Sequence, residues 1–147
     1  MRFRDSASFG KRQEYSVVAE LLRRGFDVYM TLVDDQGIDC VVRLDASRYI
    51  DIQIKARSVN AKQWNFFAGM NVHPRKNLYY IFYVEKNDSI WIIPSCELPA
   101  LCVKNIGGKH KGKMSLTLPK AHKTEKARTF EKFKGENGFR LLKKFRT

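Results

Sequence analysis

Four side chains within the first 55 residues are of types that suit work on one strongly charged centre: Glu14, Asp39, Gln53 and Lys55. Two carboxylates are anionic oxygen donors of the kind that hold a hard divalent cation. The carboxamide of Gln53 adds only a neutral carbonyl oxygen, so Mg²⁺ would sit in a less negative cage and bind more weakly until substrate phosphate completes its shell. Lys55, near two carboxylates, suits electrostatic stabilisation better than a general-base role. A cation held by oxygens, a water it can activate and a positive charge facing a pentavalent phosphate are what phosphodiester hydrolysis needs. Taken singly, each residue has a plainer reading. Glu14 is a carboxylate favoured by the dipole of a helix start, Asp39 a turn acid, and Gln53 with Lys55 the wet face of a half-exposed strand.

The elements around them decide whether they meet. From Ala7 to Gly25 the pattern is helical: Ser6 or Ser8 can cap, Val17, Val18, Leu21 and Leu22 recur at helical spacing, and Gly25 stands where a glycine ends a helix. Positions 14, 18, 21 and 25 share one stripe, so Glu14 lies on the face of Val18 and Leu21, whereas Glu20 lies on the polar face. Phe26 to Val33 reads as a first strand, DDQG as a turn, Ile38 to Leu44 as a second strand and YIDIQIKA from Tyr49 as a third, the last two forming a hairpin. On the third strand Ile50, Ile52 and Ile54 share one face and Asp51, Gln53 and Lys55 the other, with Asp51 either an acid supporting the other three or, the preferred reading, the outer edge of the strand. A helix running back over this three-strand meander could bring Glu14 to the polar ends of two adjacent strands, gathering Glu14, Asp39, Gln53 and Lys55 around one spot.

Beyond the meander, residues 58 to 76 read as irregular or weakly helical, closed by Pro74. Asn77 to Val84 and Ser89 to Pro94 read as a second hairpin joined by EKND, and Ser95 to Leu98 as the start of a short helix. NIGGKHKGK is a basic glycine-rich loop, MSLTL a short strand, PKAHKTEK a polar connection, and ARTFEKFK and GFRLLKKF are amphipathic pieces. Trp64, Phe66, Tyr79, Tyr80 and Trp91 fit a core rather than base stacking, and His73, His110 and His122 are too dispersed for a ligand set.

With 147 residues, 44% of them apolar, the chain reads as one domain, 1–147, in which an α/β core at about 7–102 carries a basic extension, 103–147, packed on it. Residues 1 to 102 hold 14 Lys and Arg against 12 Asp and Glu, and residues 103 to 147 hold 14 against 3, so 11 of the 13 excess positive charges sit in the last third. Such a balance argues for an anionic partner, nucleic acid before membrane, because no amphipathic anchor or lipidation signal is visible. Lys109, Lys111 and Lys113 in the glycine-rich loop suit phosphate tracking, and Arg57, Lys62, Arg75 and Lys76 lie nearer the four chemical residues in sequence and could border their cleft. Cys40, Cys96 and Cys102 read as buried free thiols in a reducing compartment, and with no export segment or membrane span the expected location is cytoplasmic.

Four short motifs now fall in order on the right elements: G-x-x-x-E (Gly10, Glu14), G-F-x-V (Gly25, Phe26, Val28), G-I-D (Gly37 to Asp39) and I-Q-I-K (Ile52 to Lys55). Together they resemble the PD-(D/E)XK nuclease superfamily, over about residues 10 to 56 and more loosely to Pro94. The resemblance implies an α/β, restriction-endonuclease-like mixed sheet flanked by helices. It implies that Asp39 is the acidic metal ligand, that Gln53 takes the place of the second acid, that Lys55 is the site lysine and Glu14 the helix carboxylate, with Mg²⁺ or Mn²⁺ as cofactor. Gln53 is the departure. It matches the Q-x-K variant of branches such as Mrr-type restriction enzymes and a bacterial intron homing endonuclease, whereas Holliday-junction resolvases usually keep an acid there.

The expected activity is thus Mg²⁺-dependent hydrolysis of DNA by an endonuclease, site-specific in the homing or restriction manner or junction-specific, with no small-molecule cofactor. One site per chain and two strands to cut imply a homodimer or higher homo-oligomer. The alternative is a catalytically inactive nucleic-acid-binding module of the same fold; a third reading is a component of a nucleoprotein complex whose basic part binds RNA.

Overall fold

In a computed structural model, which describes residues 5–33, 36–120 and 123–145, with side chains from residue 8 onward, the amphipathic N-terminal pattern forms a helix, α1 (Asp5–Arg23). It begins before Ser6 and Ser8, so both serines lie inside it, and its cap falls outside the described residues. Its C-terminus closes as the glycine foresaw: Gly25 adopts a positive φ of 83°, its N–H donates to Leu22 O and the N–H of Phe26 to Leu21 O.

The central sheet has five strands in the order β1 (Asp27–Met30), β2 (Cys40–Arg43), β3 (Tyr49–Arg57), β5 (Leu78–Val84) and β6 (Ser89–Pro94). β4 (Phe66–Met70) belongs to a second sheet. β1, β2 and β3 form the expected antiparallel meander and β5 and β6 the expected hairpin, whose EKND link holds the 3₁₀ turn Glu85–Asn87. The first strand is shorter than Phe26 to Val33, and residues 34–35 of its turn, like His122, lie outside the described residues. β3 and β5 are parallel, which the alternation of either strand could not reveal. β5 is accordingly apolar and buried along nearly its whole length, because both of its faces are covered.

Residues 58 to 76 correct the expectation of irregular or weakly helical chain, since they contain β4, which pairs with β8 (Met114–Thr117), itself paired with β7 (Val103–Lys104), in the second, three-stranded sheet. The buried side chains of β4 are Phe67 and Met70, three residues apart, because the register shifts between them and Gly69 turns the backbone to φ 68°. That spacing is not a strand's period of two, so the strand is hidden from periodicity. The remaining helices are α2 (Leu98–Leu101), α3 (Glu125–Glu131) and α4 (Glu136–Lys143).

One core lies between the central sheet, α1 and α4: Val17, Val18 and Leu21 meet Ile50, Ile52 and Ile54, with Phe139, Leu142 and Phe145 completing the layer. The other joins the opposite face to the second sheet and α3, through Tyr80, Phe82 and Ile93 against Phe67, Leu116, Leu118, Phe130 and Phe133. The basic third therefore supplies apolar side chains to both cores. Full burial of a leucine is worth roughly 1.5–3 kcal/mol, so Leu116, Leu118 and Leu142 are structural members and not a coating. The chain after α3 also caps the outer edge of β6, with Ile92 N–H donating to Phe133 O and Gly135 N–H to Ile90 O, both at 2.8 Å. α4 then approaches so closely that a Cβ on Gly138 would lie 2.4 Å from Phe133 O. Among the described residues no helix is long and apolar enough to cross a membrane.

Candidate active site

Asp39 is set by the sheet. The β2–β3 register pairs Cys40 with Ile52, and one step further places Asp39 beside Gln53. There the regular ladder ends: Asp39 N–H donates to Ile52 O at 2.8 Å, and the Asp39 carboxylate takes the next strand amide, accepting from Ile54 N–H at 2.6 Å. Asp39 is 6% exposed. The loop that delivers it is drawn shut by Thr31, whose hydroxyl donates to Ile38 O at 2.7 Å and Asp39 O at 3.1 Å. Gly37 is needed twice: its φ is 71°, and a Cβ there would stand 3.2–3.4 Å from three atoms of the Gln53 amide.

Gln53 and Lys55 are half-buried on the face of β3 turned away from Ile52 and Ile54, two residues apart, which is about 7 Å along the strand. Glu14 comes from α1, at the margin of the stripe that buries Val17, Val18 and Leu21. Its side chain is 18% exposed and accepts from Lys11 Nζ at 2.9 Å. Two other groups feel the charges of both carboxylates. The Cys40 thiol is pushed up to about 12, first by burial and then by the negative charges of Asp39 and Glu14. The Lys11 ammonium is raised by its hydrogen bond to Glu14, by the charge of Glu14 and also by that of Asp39. Glu14 and Asp39 thus share one electrostatic neighbourhood at the mouth of β2. Of Gln53 and Lys55 on the other face of β3, Gln53 is the one that register places beside Asp39, and Lys55 follows two residues along the same face.

The donor set is two carboxylates and one carboxamide, all oxygen, which suits Mg²⁺ or Mn²⁺ rather than a soft metal. Of the three thiols expected to be buried, Cys40 is, whereas Cys96 is exposed and Cys102 half-buried; with its pKa raised, Cys40 offers no thiolate. Among the described residues no group of three or more His, Cys, Asp or Glu side chains could hold a metal ion. A cation at this site would thus rest on Glu14, Asp39 and the carbonyl of Gln53 and take its remaining oxygens from water and substrate, as Mg²⁺ commonly does.

The basic residues fall into two groups. Arg57 ends β3 and donates to Gln63 O at 3.1 and 3.3 Å, while Lys62 and Lys76 are exposed. Arg75 is ion-paired with Asp51, which is 9% exposed. Asp51 stands near the start of β3, yet it is buried with a cation as its partner rather than left as a wet strand end. Lys109 and Lys111 are exposed, and Lys113 half-buried, on the loop between β7 and β8, which is tied by Asn105 N–H to Lys113 O and Gly112 N–H to Asn105 O. His110 in that loop lies against Gly69 of β4, where a Cβ would come within 2.6 Å of its Nδ1. A cleft of about 490 Å³ between α1, β6 and α4 stands apart from all of these, its Arg23 and Arg24 held by Glu20 and Arg24 also by Glu136.

Lys11 and Thr31 escape the sequence reading. Lys11 had a usable signal in its i−3 position to Glu14, whereas the Thr31 contacts depend on where the loop closes. A five-stranded mixed sheet with flanking helices, joined to a smaller sheet, is an α/β architecture that this chain shares with a nuclease. One similar solved structure is a bacterial homing endonuclease, I-Ssp6803I, at a TM-score of 0.64 and 17% identity, over 91% of this chain and 90% of that one. At this identity the likeness is one of fold, and it extends through most of the basic third. No family model and no curated protein sequence matches the chain.

Proposed function

We propose that this chain is a Mg²⁺- or Mn²⁺-dependent DNA endonuclease of the PD-(D/E)XK type in its Q-x-K variant. The observation that carries the reading is the placing of Asp39: register sets it beside Gln53, its carboxylate is locked to the Ile54 amide, and its charge acts, as that of Glu14 does, on Lys11 and Cys40. We read the four residues foreseen in the sequence, Glu14, Asp39, Gln53 and Lys55, as parts of one site in this region of the sheet. The nuclease fold of the similar structure supports the same reading.

Glu14 and Asp39 would hold the cation, with Gln53 lending a neutral carbonyl oxygen. When bound, the ion supplies a polarised water and stabilises charge on the phosphate. Lys55 presents an ammonium to the charge that develops in the pentavalent transition state. Asp39 can do its part without reorganising, because the Ile54 amide fixes one of its oxygens before substrate arrives. Lys109, Lys111 and Lys113, with Arg57, Lys62 and Lys76, track the DNA backbone; Arg75, engaged by Asp51, borders them. Two copies acting together would cut both strands of a duplex.

The test is nicking of supercoiled and branched DNA with Mg²⁺ or Mn²⁺, comparing the native protein with Asp39→Ala and Lys55→Ala. Cleavage lost in both variants supports the reading. No cleavage by the native protein, with salt-sensitive DNA binding retained by all three, overturns it in favour of a non-cutting DNA-binding module.

A further inference from the structure

Glu85 is the first residue after β5, at the carboxyl end of the parallel β3–β5 pair, where Val84 stands beside Arg57. Its side chain joins three parts of the chain. Oε1 accepts from Gln13 Nε2 at 3.0 Å and from Arg12 Nη2 at 3.3 Å, and Oε2 accepts from the Val59 amide at 3.0 Å. Gln13 is 3% exposed and is the first buried side chain described on α1. The preceding described residues, Ser8 to Arg12, are exposed or half-buried, and the apolar stripe of the helix begins only at Val17. The first turns of α1 are therefore held to the sheet mainly by a polar tie, and the residue after the tied glutamine is Glu14.

We propose that Glu85 is a positioning residue for Glu14. By fixing Gln13 and Arg12 against the end of β5 it sets the height and rotation of the helix start, and so the distance from which Glu14 faces Asp39. The same carboxylate holds the chain just beyond β3 through Val59, so the strand bearing Lys55 and the helix bearing Glu14 are keyed to one group. The inference rests on the reading of Glu14 as a cation-holding carboxylate. Glu85 itself touches neither substrate nor metal in this scheme.

The experiment compares Glu85→Ala, Glu85→Gln, Glu14→Ala and the double variant Glu14→Ala/Glu85→Ala on cleavable DNA. Misplacing a site group by about 1 Å can cost up to about a hundredfold in rate. The expected result is a ten- to hundredfold loss of kcat for Glu85→Ala, a higher Mg²⁺ concentration for half-maximal rate and DNA affinity within about twofold of native. Glu85→Gln, which keeps a carbonyl oxygen for Gln13, should lose less. In the Glu14→Ala background Glu85→Ala should cost nothing further, because it acts through the group already removed. Amide exchange near residues 11–15 should quicken in Glu85→Ala while the β5 amides stay protected. An unchanged kcat in Glu85→Ala, or a loss that multiplies with that of Glu14→Ala, overturns the proposal and leaves the nuclease reading intact. If the native protein cleaves nothing, the nuclease reading falls, and unchanged exchange at 11–15 would then refute the tie as well.

Discussion

Asp39 has two separable duties, one to the sheet and one to charge, and two substitutions divide them. Asp39→Ala removes the carboxylate oxygen that accepts from the buried Ile54 N–H at 2.6 Å. Leaving a buried donor unmet costs about 1–3 kcal/mol, and bonds to charged groups lie in the upper part of that range. Asp39→Asn keeps a carbonyl oxygen in the same place and gives up only the charge assistance, which relief from burying a carboxylate beside Glu14 partly offsets. The alanine variant should therefore be less stable than the asparagine variant by about 2 kcal/mol. In a chain of this length that is a Tm lower by roughly 4–8 °C, with the Ile54 amide losing protection from exchange in the alanine variant alone. Both variants should lose cleavage, because neither carries the anionic oxygen. Equal Tm values for the two, with the Ile54 amide equally protected, would refute the structural role; full cleavage by Asp39→Asn would refute the charge role.

Gly37→Ala forces a left-handed φ on alanine, at about 1–2 kcal/mol, and presses its Cβ on the Gln53 amide, so Tm and cleavage should both fall, as thermal unfolding and nicking would record. The Cys40 thiol, at about 12 in the fold against an ordinary 9.0, favours the fold while protonated; that contribution is whole below pH 9 and is lost as pH rises toward 12. Urea unfolding across that range should show a decline of up to about 4 kcal/mol from this group, and Cys40→Ala should flatten it. Leu116→Ala, in the basic third but fully buried, should cost about 2–5 kcal/mol by urea unfolding; a cost under 1 kcal/mol would mean that the second sheet is not a working part of the core.

What was legible in advance was what local chemistry dictates. Val17, Val18 and Leu21 at helical spacing, and isoleucines alternating with polar residues on β3, specify a helix and a strand by period alone, and the glycine at 25 marks the helix end through its positive φ. The Asp39–Gln53 adjacency was legible too, since a hairpin fixes register. The parallel pairing of β3 with β5 was not, because no local signal says which edge a strand will offer to a partner beyond a crossover. β4 was missed for a different reason, as its bulge at Gly69 replaces a period of two by a spacing of three. The Asp51–Arg75 and Gln13–Glu85 contacts join residues 24 and 72 positions apart, so they exist only once the fold does.

The contribution of Phe139, Leu142 and Phe145 to the same layer as Val17 and Leu21 bears on the order of events during synthesis. A growing chain makes its helix and hairpins early, yet the layer under α1 waits for residues more than a hundred positions downstream, a distribution of contacts that slows folding. Until Phe145 emerges, the isoleucine face of β3 is incompletely covered and the helix that carries Glu14 lacks part of its support. The complete fold would then arrive late, so that a fragment stopped near the charge boundary at residue 102 would be a partly folded polypeptide exposed to aggregation and proteolysis, not a smaller stable domain.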